Sequence, residues 1–154
     1  MEILNKNYVK YGLILALLLI PCLAIMELTG SNASFENKSP VFFIYQFIAP
    51  FVVWYLGLKA YKKSLKGKMN FKEGVKEGLR MSLVFGIVSP FIFAAYYLFV
   101  NPEILEYVKV AYNLPSSSMA LVIGVDMLVQ FFAAVVFGTI YAAIVSFFLK
   151  SKKA

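Results

Sequence analysis

The chain has 154 residues, of which 61% are apolar and only 15% charged; soluble domains carry about 25% charged residues, so little polar surface is left to cover a water-soluble fold. Fifteen basic and eight acidic residues give a net charge of +7, whose meaning depends on where the charges lie. With no histidine and one cysteine, Cys22, the chain excludes an internal disulfide, a dithiol redox pair and any metal or triad site built on histidine.

Four apolar stretches follow in chain order, 11–28, 41–61, 79–100 and 119–149. Each reaches the roughly 17–25 residues that cross a hydrocarbon core about 30 Å thick. Continuous apolar runs predict helices, whereas a transmembrane barrel shows alternating segments. The first run follows Lys6 and Lys10 but is longer than a signal-peptide core, and Pro21 before Cys22 fits a lipoprotein box poorly, so it reads as a retained span. The polar connection 29–40 contains two formal glycosylation sequons, starting at Asn32 and Asn37, of a kind common by chance in Asn/Ser-rich loops. Pro21, Pro50 and Pro90 lie inside the first three spans and predict kinks or local widening, because each removes a ladder donor.

Between the second and third spans lie Lys59, Lys62, Lys63, Lys66, Lys68, Lys72, Lys76 and Arg80 against Glu73 and Glu77. With Lys6, Lys10 and the terminal Lys150, Lys152 and Lys153, thirteen of the fifteen basic residues collect on one side of a four-span chain, leaving Lys38 and Lys109 on the other. The positive-inside rule then puts both termini and this loop in the cytoplasm. Asn70 with Glu73 three residues on predicts a capped helix that begins before the third span. Phe71, Gly74, Val75, Gly78 and Leu79 are expected on its apolar face, with Lys72, Glu73, Lys76, Glu77 and Arg80 opposite, making an interfacial elbow. Lys62, Lys63, Lys66 and Lys68 are candidate contacts to lipid headgroups, although topology alone accounts for their position. They flank spans and include no base-stacking platform, which argues against nucleic acid.

After the third span, Asn101, Pro102 and Glu103 form a helix start, and Ile104, Leu105, Val108, Ala111 and Tyr112 share one face. A short amphipathic helix is expected along the outer surface or over the bundle mouth, stopped at Asn113 and Pro115, with Ser116–Ser118 capping the next span. In the fourth span Ala134, Gly138, Ala142 and Ser146 repeat every four residues and let a neighbouring helix approach closely. That neighbour is either another span of this chain or a second protomer in a homo-oligomer. Asp126 is the candidate polar or ion site, because an ionisable residue within a span is costly. Gln130 lies one turn on, and Glu27 near the end of the first span is expected at a similar level, forming a small acidic mouth.

Residues 10–14 (Lys10, Tyr11, Gly12, Leu13, Ile14), the basic loop 65–78 and the Asn101, Pro102, Glu103 turn resemble an uncharacterised family of small four-span membrane proteins most familiar from Bacteroidota-type bacteria. That resemblance implies an inner-membrane location and supplies no activity or binding residues.

The expected architecture is an all-α integral membrane four-helix bundle, one domain over 1–154, with a cytoplasmic basic elbow and a short amphipathic outer helix. The expected function is non-enzymatic, through helix packing or contact with membrane lipids or protein, with no cofactor. The alternative is a small transporter or channel in which Asp126, Glu27 and Gln130 line a hydrated path.

Overall fold

The computed structural model describes residues 6–29, 40–114 and 118–151. Among them the regular elements are helical: α1 (Asn7–Leu28), α2 (Pro40–Phe43), a π turn (Ile44–Ile48), α3 (Ala49–Ser64), α4 (Phe71–Phe99), α5 (Ile104–Ala111) and α6 (Met119–Leu149). The sequons at Asn32 and Asn37, Lys38, the stop at Pro115, Ser116, and Lys152 and Lys153 lie outside the described residues.

Helices α1, α4 and α6 are long and apolar enough to cross a membrane. The stretch expected as the second span is helical from Pro40 to Ser64 but divided, and its longest regular piece, α3, has 16 residues. Pro50 explains the division. It has no N–H for the Gln46 carbonyl four residues back, and the Ala49 N–H bonds the Ile44 carbonyl five residues back, so the ladder widens by one residue. The Tyr141 hydroxyl of α6 donates to the carbonyl of Gln46 at 3.4 Å, replacing the donor that proline lacks. By contrast, α1 and α4 continue as α-helix through Pro21 and Pro90.

Helix α4 is the centre of the packing, against α1, α3 and α6. Its small residues Gly74, Gly78, Ser82 and Gly86 face Ser146, Ala142, Gly138 and Ala134 of the antiparallel α6, so both helices use a four-residue period in one register. The approach is close enough that a Cβ at Gly78 would collide with the Ala142 methyl group. On α1, Gly12, Leu15, Ala16, Leu19, Leu23 and Met26 recur at three and four residues and form its buried face. Two apolar clusters result. Leu15, Trp54, Leu58, Met81 and Val145 fill one half, while Leu19, Leu23, Leu105, Val108 and Val122 fill the other.

The two ends differ in chemistry. At the basic end, Asn7 donates to the Gly57 carbonyl of α3 at 2.9 Å, and Ser151 N–H donates to the Met69 carbonyl at 2.8 Å, so α1 begins against α3 and the last described residue meets the 65–70 turn region. At the other end α5 lays Ile104, Leu105 and Val108 over α1, α4 and α6 as a lid. Its stop is a Schellman arrangement: Asn113 adopts φ 56° and the Leu114 N–H reaches the Lys109 carbonyl at 2.8 Å.

The start of α4 follows the expected capping box, with Asn70 Oδ1 accepting from the Glu73 N–H at 2.9 Å and Glu73 Oε2 from the Asn70 N–H at 2.8 Å. Its buried face is rotated from the expected one. Phe71 is exposed, and Glu77 is 3% exposed beside Gly74, Gly78 and Met81. The close contact with α6 centres on the glycines, which turns Glu77 inward. Asn7 Nδ2 at 3.4 Å and Arg80 Nη1 at 3.5 Å supply its carboxylate with partners, as a buried charge requires.

Candidate functional site

Helix α6 begins at Ser118, whose Oγ accepts from the Leu121 N–H at 3.4 Å. Its phase turns Val122 and Asp126, one turn apart, to the interior, and Asp126 is 4% exposed. The Asp126 carboxylate has no cationic partner among the described residues; it is held instead by hydrogen bonds from two side chains. The Tyr112 hydroxyl, just after α5, donates to Oδ1 at 2.9 Å, and Gln130 Nε2 donates to Oδ2. Tyr97 of α4 joins the site through Gln130, its hydroxyl oxygen accepting from Gln130 Nε2 at 3.4 Å. Burial, then the neighbouring Asp126 charge and the hydrogen bond to it, push the Tyr112 hydroxyl well above its usual value of 10, so it stays a donor through the neutral range.

Glu27 has a different set of partners. The Tyr96 hydroxyl donates to its Oε2 at 2.5 Å and Asn101 Nδ2 donates to the same oxygen at 3.2 Å. The expected single acidic mouth is therefore two carboxylate sites, Glu27 served by Tyr96 and Asp126 by Tyr112, with Tyr96 and the Gln130 partner Tyr97 adjacent on α4, their rings 6.3 Å apart. Asn101 was expected to cap the short helix. It turns to Glu27 instead, and α5 starts at Ile104, with no side-chain cap from Glu103.

The structure brings Asp126 and Gln130 together and leaves Glu27 with its own partners. Ala134, Gly138, Ala142 and Ser146 face α4 of the same chain. Among the basic candidates, Lys62 donates from Nζ to the Leu149 carbonyl at 2.8 Å, satisfying an orphan acceptor at the end of α6. Lys63, Lys66 and Lys68 remain exposed. Lys66 at φ 53° and Gly67 at φ 81° turn the chain out of α3, with the Gly67 N–H on the Lys62 carbonyl at 2.9 Å.

Tyr112 was expected on the apolar face of its helix without a role and Glu77 on the polar face of α4, while Tyr96 and Tyr97 carried no expectation. A signal for Glu77 was present: it lies three residues after Gly74 and next to Gly78, within one helical face. Nothing local marks which tyrosine meets which carboxylate, since the pairs span 14 to 69 residues.

A family model described as Protein of unknown function (DUF4199) matches residues 10–151. No curated protein and no solved structure shows a significant match.

Proposed function

The chain therefore belongs to that family of proteins of unknown function, and from this premise we propose a non-enzymatic, multi-pass protein of the cytoplasmic membrane that acts through helix packing and contact with lipids. In this reading the segment Pro40–Ser64 is a fourth crossing, completing a four-helix bundle with both termini and the basic elbow in the cytoplasm. Val41 lies near Cys22 and Lys62 bonds Leu149, so the segment runs from the α5 end to the basic end. The concentration of thirteen basic residues in the termini and the elbow supports the orientation. Exposed Lys63, Lys66 and Lys68 are the proposed headgroup contacts.

The observation that carries the functional reading is the closure of the Asp126 site. A carboxylate that conducts protons or cations needs water or an exchangeable partner; this one is 4% exposed and taken up by donors from Tyr112 and Gln130. It acts as an anchor that fastens the α5 lid to α6. The second reading, transport along a path lined by Asp126, Glu27 and Gln130, is favoured by one observation: Gln130 also lines a cavity of about 290 Å³. Ion flux through reconstituted vesicles distinguishes the two, because the anchor reading expects flux no greater than in protein-free vesicles.

A further inference from the structure

The cavity that Gln130 borders lies between the π turn, α3, α4 and α6 and is walled mainly by apolar side chains, with Leu15, Phe85 and Phe93 among them. Its rim includes Phe47 and Phe137, both exposed on the flank of the bundle, so it opens sideways. Besides the exposed Gln46, three polar side chains within the bundle border it with unused hydrogen-bonding capacity. Ser89 is 2% exposed and its hydroxyl has no protein partner among the described residues. Gln130 Oε1 is a buried acceptor without a donor, because only the amide nitrogen of that side chain is engaged by Asp126 and Tyr97. Trp54, at the far end, has an unpartnered Nε1. Buried groups of this kind are uncommon in native structures and call for a partner. A π turn formed at Pro50 adjoins the same space, and such turns are frequent at functional sites.

The register of α4 on α6, in which Gly86 meets Ala134, puts Ser89 and Gln130 at one level. Trp54 packs against Gly138, two turns further along α6 and about 12 Å away. The cavity is thus a slot with Ser89 and Gln130 at one end, mainly apolar walls along its length and the Trp54 indole at the other. Counting about 20 residues back from Lys150 at 1.5 Å each brings Gln130 to about 30 Å, the far boundary of a hydrocarbon core.

We propose that this slot binds a neutral lipid alcohol, with its hydroxyl between Ser89 and Gln130 and its apolar chain running toward Trp54. An O–H group donates to Gln130 Oε1 and accepts from Ser89, which a ketone or ether oxygen cannot do because it has no proton to give. A carboxylate or phosphate is disfavoured because the lining carries no lysine or arginine, and the nearest charge, on Asp126, is of the same sign. The head then sits at the membrane boundary, where a hydroxyl on a hydrocarbon chain already resides. The proposal rests on the membrane-spanning reading of α6.

The test uses the full chain in phospholipid nanodiscs with three photoactivatable probes, a hexadecanol carrying a mid-chain diazirine and its fatty-acid and methyl-ether counterparts, and mass-spectrometric mapping of adducts. The alcohol is expected to label the slot, at Phe85, Trp54 or Phe137, about five- to tenfold more than either counterpart, the ratio expected for one hydrogen bond of about 1 kcal/mol or slightly more. Ser89→Ala is expected to reduce that labelling by a similar factor, and Ala133→Trp, which fills the slot, to abolish it. Equal labelling by the three probes, or adducts spread over the outer flank at Phe132, Val136 and Phe148 without excess at Phe85, overturns the proposal. The comparison of probes on the unaltered chain needs no variant to fold. A chain that fails to enter nanodiscs overturns the spanning reading together with the proposal, and is recognised before any probe is added.

Discussion

The Tyr112 hydroxyl lies 2.9 Å from Asp126 Oδ1 and ties the end of α5 to the second turn of α6. A short helix on the surface of a bundle has little intrinsic stability, and this bond adds a directional constraint to the apolar contacts of Leu105 and Val108. Tyr112→Phe is expected to cost about 1.5–3 kcal/mol, the usual range for a hydrogen bond to a charged group. Thermal unfolding in mild detergent measures the loss, and amide exchange should accelerate over 104–111 while the α4–α6 interface stays protected. The pH dependence has a fixed sign: the fold keeps the hydroxyl protonated above its usual value of 10, so its stabilisation is complete below pH 10 and declines above it, as the unfolded chain ionises first. Tyr112→Phe removes that part of the alkaline loss.

The face of α4 against α6 sets a second expectation. A methyl group at Gly78 collides with Ala142, whereas one at Gly124 meets nothing within 4 Å. Gly78→Ala is expected to destabilise by about 1–3 kcal/mol, the cost of overpacking a close contact. Gly124→Ala is expected to be neutral or stabilising by up to about 1 kcal/mol, because alanine is the better helix former. Denaturant titration of both variants in the same detergent provides the comparison.

A third expectation concerns the π turn. Tyr141 serves a carbonyl that lacks its donor because residue 50 is proline. In Pro50→Ala the alanine N–H is able to bond Gln46, so Tyr141→Phe should cost less in that background than in the parent chain. A double-mutant cycle read by thermal unfolding is expected to give a coupling of about 0.5 kcal/mol or more; strict additivity would detach the tyrosine from the turn.

Much of this architecture was legible in the sequence, and the parts that were not share a physical cause. The capping box at Asn70 and the small-residue period of α6 are local patterns, decided within a few residues, and each can be read from spacing alone. Asn101 could equally serve α5 or a distant carboxylate, and only the arrival of Glu27 decides between them. Glu77 was expected on the polar face because charge usually marks that side, but Asn7 and Arg80 supply the partners that let it turn inward. The π turn joins Pro50 to a hydroxyl that lies 95 residues from the Gln46 carbonyl it serves.

The orientation is open to a direct check in cells. In a Cys22→Ala background, Lys68→Cys should react with a membrane-impermeant thiol reagent only after the cytoplasmic side is opened, and Glu103→Cys should react in intact cells. Both positions are exposed, so accessibility reports sidedness. The reverse pattern would invert the topology.

The closed state of the Asp126 site is tested most directly by proton and monovalent-cation flux into vesicles containing the purified chain, compared with Asp126→Asn and with protein-free vesicles. An anchoring carboxylate predicts that all three give the same flux, while Asp126→Asn shifts the unfolding transition. Flux above the protein-free level that disappears in Asp126→Asn would contradict the account and make this residue part of a conducting path.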